Sequence, residues 1–223
     1  MTEEYQDREV PTDRESPVGA PVIRGDEAVT GDRAAEAATF DPDDPESLER
    51  AVETVRSFAA EAGGSGDHIY MLEGAAACAA LVRGEGSYKA AAERAGGSVN
   101  VSFIRKWARV HDLPHAIRRQ VARGYLAPTA AKHIARVGGE ARYQLAWATL
   151  DNELTVREVR SLASAINQGT PIEAALRKHG VTPGKLAVTL PLPLYRELRR
   201  VAAIEDLEPG HLVAEALEEW LDQ

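Results

Sequence analysis

Ten cationic side chains lie within the fifty-one residues from Ser87 to Val137: Lys89, Arg94, Arg105, Lys106, Arg109, Arg118, Arg119, Arg123, Lys132 and Arg136. Only Glu93 and Asp112 oppose them there, although the whole chain carries 35 Asp+Glu against 26 Lys+Arg. Positive charge concentrated inside a protein of net charge −9 suits one chemistry above others: neutralising a phosphate backbone and releasing its condensed counterions. Within this window, Asn100, Ser102, Arg105, Lys106 and Arg109 have side chains that can reach base edges, Arg and Lys by donating to guanine O6 and N7. Arg118, Arg119, Arg123 and Lys132 continue the cationic run, with His133 beside them as a phosphate neighbour or a core histidine.

Those residues need helices to aim them. Ser87 suits an N-cap for a short helix, Tyr88 to Ala95. The turn Gly96-Gly97-Ser98 leads to a second helix, about Asn100 to His111. With Ile104 placed inward, the 3.6-residue period puts Val101, Trp107 and Ala108 within about 60° of it. Ser102, Lys106 and Arg109 then fall on the opposite side, with Arg105 on the flank. Two short helices joined by a Gly-containing turn, the second one basic, form a helix-turn-helix signature. Further helices are predicted over Ala116–Arg123, Pro128–Val137, Ala141–Leu150, Thr155–Asn167 and Pro171–His179. Thr155 with Glu158 three residues on has the spacing of a capping box.

Upstream of the basic window, residues 1–45 are rich in Glu, Asp, Pro and Gly, which predicts a disordered acidic tail. Residues 46–86 are expected to form a helical lead-in of two helices, the first stopped at Gly63-Gly64-Ser65-Gly66 and the second spanning Asp67 to Arg83. Residues 1–66 carry 6 basic and 17 acidic groups, so the acidity is concentrated away from the window. Arg outnumbers Lys 21 to 5, and surplus carboxylate with little Lys suits solubility in concentrated salt, which predicts a halophilic protein. A single cysteine, Cys78, precludes an internal disulfide, fits a reducing compartment and, set among alanines, is expected in the core. The N-terminus lacks a signal-peptide pattern, and no apolar run reaches the ~18–20 residues of a membrane span. A cytoplasmic protein without a membrane partner is the expectation.

The pattern changes after Gly180. Lys185-Leu186-Ala187-Val188-Thr189-Leu190 alternates with period two and reads as one short strand, followed by helices Pro193–Asp206 and Glu208–Leu221. One strand cannot satisfy its own ladder groups, so it calls for a partner, most simply the same strand of a second copy. A homodimer formed through 185–221 follows.

Two family resemblances join these readings. The stretch from about Tyr88 to Ala174 resembles the central DNA-binding region of the ParB/Noc/KorB partition proteins. The resemblance is carried by Leu113-Pro114, Gly124-Tyr125-Leu126, Thr129-Ala130-Ala131-Lys132 and Leu154-Thr155-Val156-Arg157-Glu158, in that order. It implies an all-helical DNA-binding domain with Arg105, Lys106 and Arg109 on the recognition helix. The helices of Arg118–Arg123 and Thr129–His133 would brace the phosphates. The family's nucleotide-binding N-terminal domain, with its Gly-x-Arg-Arg-type motif, has no counterpart in residues 1–86, so nucleotide hydrolysis is not carried over. Residues 185–221 resemble a ribbon-helix-helix fold, whose ribbon would present Lys185 and Thr189 as possible DNA contacts.

Other chemistries lack their residues. His111 and His115 are spaced H-x3-H with Pro114 between them and no Cys or carboxylate cluster, so no metal is expected. No phosphate-loop spacing or nucleophile elbow is present, and neither catalytic residues nor cofactors are expected. The combined expectation is a mostly α protein in four segments: a tail (1–45), a lead-in (46–86), a ParB-like helix-turn-helix domain (87–180) and a ribbon-helix-helix-like dimerisation domain (181–223). It would bind double-stranded DNA as a dimeric transcriptional regulator or chromosome-associated factor. The competing expectation is an antitoxin-like or adaptor module whose basic domain binds an acidic partner protein.

Overall fold

The computed structural model describes residues 40–61 and 67–222. The chain divides into two compact units, Met1–Gly184 and Lys185–Gln223. The described residues are mostly helical, as their apolar periodicity requires, and none of their helices is long and apolar enough to cross a membrane. Most of the predicted tail, and the glycine-rich stop predicted over residues 63–66, lie outside the described residues. The tail's last residues do not, and they correct the expected boundary. Phe40 and Pro42 are buried, and the Asp41 amide donates to Ser47 Oγ at 2.7 Å, so the packed chain begins before Glu46.

Among the described residues of the first unit, nine helices follow in order: α1 Pro45–Glu61, α2 His68–Gly84, α3 Tyr88–Ala95, α4 Val101–His111, α5 His115–Ala122, α6 Pro128–Ile134, α7 Gly139–Asp151, α8 Val156–Asn167 and α9 Ile172–Lys178. The centre is α2, packed on α1, α3, α4, α5 and α6. Its sequence explains that position. Ala75 to Ala80 are small and buried, so neighbouring backbones approach closely from several sides. At Gly74 the approach is closest: a Cβ there would stand 2.2 Å from the Phe58 ring of α1. Phe58 anchors an aromatic cluster, its centroid 4.7 Å from Trp107, 5.5 Å from Phe103 and 5.8 Å from Tyr70 in tilted or edge-on geometry. Helices α1 and α2 are therefore the wall on which α4 is seated. Cys78, wholly buried in that wall, has its thiol pushed up by burial, which suppresses the reactive thiolate.

Capping follows the residues that suit it. Ser87 Oγ accepts from the Ala90 amide at 3.1 Å, and Asn100 Oδ1 from the Phe103 amide at 2.9 Å. Thr155 and Glu158 close a reciprocal capping box at the start of α8. Between α3 and α4, Gly96 and Gly97 both take left-handed backbone, φ +66° and +61°, where a side chain would be strained. Arg56 of α1 donates to the Ala95 carbonyl at 2.6 Å and fixes the end of α3 just before that turn.

The second unit holds α10 Leu192–Ile204 and α11 Pro209–Leu221, both near their predicted bounds. Residues 185–190 form neither helix nor strand, and this corrects the expected strand for the single chain. The physical reason is in its pattern: a lone period-two segment acquires ladder hydrogen bonds only from a second strand. Ala202 is the one buried residue among the described residues of this unit, whereas Leu186, Val188, Leu192, Leu194, Tyr195, Ile204, Leu217 and Trp220 are exposed.

Candidate nucleic-acid interface

Helix α4 is amphipathic in three dimensions as well as on paper. Ile104, Trp107, Ala108 and Val110 are buried against α2 and its neighbours, which holds the helix by its apolar stripe. Ser102, Arg105 and Arg109 are exposed on the other side. The Arg105 guanidinium lies 5.3 Å from the centroid of Tyr88, a residue of α3, so this contact steadies it across the turn. Asn100 is exposed, but its carboxamide oxygen is taken up by the cap, leaving the NH2 group as its free reading edge.

Lys106 departs from its expected place. It is half-buried, its Nζ 5.3 Å from the centroids of both Phe103 and Trp107. A helical wheel treats α4 alone and puts Lys106 opposite the core. The two rings on its flank instead offer faces onto which the long stem folds. Burial, reinforced by the charge of Lys132, lowers its pKa.

Arg118 corrects the sequence reading more sharply. It is only 3% exposed and belongs to the buried stripe of α5 with Ile117, Val121 and Ala122. It cannot brace a phosphate from that position. Its charge is felt at His111, a buried histidine at the end of α4. Burial, with the charges of Arg118 and Arg83 beside it, pulls the pKa of that imidazole down to about 3. Arg119 is half-buried and Arg123 exposed on the same helix and its end.

Thr129, Lys132 and His133 of α6 are half-buried at the surface. Helix α6 packs against both α4 and α8, so it brings Lys132 and His133 toward Lys106 on one side and Arg160 on the other. Burial, then the charges of Lys132, Arg136, Arg160 and Lys106, lower the pKa of His133. Arg160, exposed on α8, is a candidate that sequence reasoning missed, whereas Arg136, also exposed, belongs to the basic window. Nothing in the chain's spacing puts Arg160 beside it.

Some cations at the surface are paired and others are not. Arg83 pairs with Asp112 at 2.9 Å, Arg94 with Glu85 and Glu49, Arg177 with Glu173 at 3.0 Å, and Arg200 with Glu197. Arg105, Lys106, Arg109, Lys132, Arg136 and Arg160 make no ion pair among the described residues, in a protein with a surplus of carboxylates. Like charges held together without counter-ions make a site that an anion stabilises. Lys185 and Thr189, the possible ribbon contacts, are exposed in the second unit.

No curated protein and no solved structure matches this chain. A family model does match residues 41–181, more than half of the chain, and takes in every helix of the first unit from α1 to α9. The chain belongs to that family, which is described as a family of unknown function (DUF7119).

Proposed function

We propose that this protein binds double-stranded DNA as a homodimer, acting as a transcriptional regulator or chromosome-associated factor. The observation that carries the reading is the unpaired cationic face on and beside α4 in an otherwise acidic protein. Helices α3 and α4 act as a helix-turn-helix in which α4 enters the major groove. Arg105 and Arg109 are the base-edge donors and Ser102 contacts base or phosphate. The ParB-like motif order from Leu113 to Glu158 supports the same use of α4. Ribbon-helix-helix pairing of the second unit joins two copies. Leu186 and Val188, exposed at 64% and 61%, are the side chains that a partner strand and its helices would cover. A twofold dimer then reads a roughly palindromic site.

The test is retention of random duplex DNA by the full-length protein at high ionic strength, with selection of bound sequences, for wild type and for Arg105→Ala with Arg109→Ala. Both residues are exposed, so their replacement leaves the fold intact. Removal of each base-edge pair is expected to cost about 1–3 kcal/mol and to relax the selected sequence. Failure of wild type to retain any duplex overturns the reading, and favours an acidic protein as the partner of the same face.

A further inference from the structure

Exposed and half-buried cations are not confined to α4. The unpaired charge extends from α4 across α6 to α8, and the side chains that continue it differ from the base-reading set. Lys106 lies against the faces of Phe103 and Trp107 and is half-buried, whereas Arg105 and Arg109 are exposed. Lys132 and His133 stand on α6, Arg136 follows that helix directly, and Arg160 stands on α8, which packs against α6. His133 Nδ1 is buried and has no hydrogen-bond partner among the described residues. No carboxylate pairs with any of the four cations among the described residues.

We propose that Lys106, Lys132, His133, Arg136 and Arg160 form a phosphate clamp on three helices, gripping the DNA backbone beside the groove that Arg105 and Arg109 read. This rests on the DNA-binding reading and deepens it, because it removes Lys106 from the base-reading set and adds Arg136 and Arg160 to the interface. The clamp differs from the exposed base readers in its burial. Three of its members are half-buried, one of them held by aromatic rings, and the packed helices α4, α6 and α8 carry the set. Such a site fixes register and orientation without carrying sequence information. Two ammonium groups and two guanidiniums supply charge-assisted donors for phosphate oxygens.

The deciding experiment compares duplex DNA affinity across a salt series for full-length wild type, for Arg136→Gln with Arg160→Gln, and for Arg177→Gln with Lys178→Gln as a control of equal charge change on α9. The clamp variant is expected to bind more weakly, with a salt slope shallower by about one for each phosphate it no longer neutralises. Its selected sequence should be unchanged, and the control should match wild type. Wild-type slope and affinity in the clamp variant, with DNA binding by wild type intact, overturn the clamp and leave the DNA reading standing. No duplex retention by wild type overturns both. A second arm measures thermal stabilisation by inorganic phosphate at fixed ionic strength. Stabilisation of wild type but not of the clamp variant, with the DNA slopes equal, assigns the site to a free phosphate and overturns the backbone clamp.

Discussion

The two units of this protein differ in how much apolar surface they leave unpartnered. The first buries its apolar side chains in one core spanning α1 to α9 and leaves cations unpaired at its surface. The second pairs Arg200 with Glu197 but leaves ten of the eleven large exposed apolar side chains of the described residues without cover. An unsatisfied surface names the chemistry that would satisfy it. Unpaired guanidinium and ammonium groups call for an anion, whereas exposed Leu, Val and Trp call for another apolar surface, since removing them from water is favourable at about 25 cal/mol per Å². With Ala202 alone buried among its described residues, the second unit has little core of its own, and a second copy is the partner proposed to complete it.

The sharpest way to break this contrast is to add charge to the second unit. Leu186→Asp with Val188→Asp places four carboxylates per dimer where apolar contact is expected. Full burial of a Val or Leu side chain is worth roughly 1.5–3 kcal/mol, so association should weaken about a thousandfold or more. Sedimentation equilibrium over a range of protein concentrations reads this directly, and the first unit's helices should be unaffected by circular dichroism. A wild-type chain that sediments as a monomer at every concentration removes the second half of the comparison.

The first unit is tested at its centre. Phe58 touches three other aromatic rings and fills the space that Gly74 leaves open. Phe58→Ala removes the wall behind Trp107 and should cost about 3–5 kcal/mol in chemical denaturation, the usual range for a buried aromatic. DNA affinity should fall with it, because α4 is seated on that ring. A change below about 1 kcal/mol, far under that range, would mean that α1 is not part of the unit that holds α4.

How far the sequence discloses all this depends on the range of the interaction. Caps and turns are local, and Ser87, Asn100, Thr155 with Glu158, and the Gly96-Gly97 pair declare themselves by residue type and spacing. The buried stripe of α4 is also local, because Ile104, Trp107 and Ala108 recur at the helical period. Lys106 is harder: its half-burial depends on two rings presenting faces on its flank, which a wheel projection does not contain. Arg118 left a trace in its spacing to Val121 and Ala122, but charge type outweighs spacing when a helix is read alone. Arg160 left none. It joins Lys132 and Arg136 through the packing of α8 on α6, a contact between residues far apart in the chain. The strand expected over 185–190 differs again: its period-two pattern is local, but the ladder it calls for needs a second strand, which a single chain does not supply.

The smallest effect expected separates the units by pH. In the folded protein His111 titrates near pH 3, held down by burial and by the charges of Arg118 and Arg83. In the unfolded chain an exposed histidine titrates near its ordinary value of about 6.5. Above that value the imidazole is neutral in both states and contributes no pH dependence. Between about 6.5 and 3 the unfolded chain binds a proton that the folded one refuses. The first unit therefore loses stability as the pH falls through this window, by at most about 1.4 kcal/mol per pH unit from this one group. Urea unfolding of wild type and His111→Gln at pH 7 and pH 5 isolates the contribution, because titrating carboxylates affect both proteins alike. Wild type should lose about 1–2 kcal/mol more than the variant. Dimer dissociation measured over the same interval should not follow that difference, since no residue of 185–221 belongs to the environment that depresses His111. Equal acid losses in the two proteins would mean that His111 is open to protonation in the folded state, and that the end of α4 is less firmly buried than its packing implies.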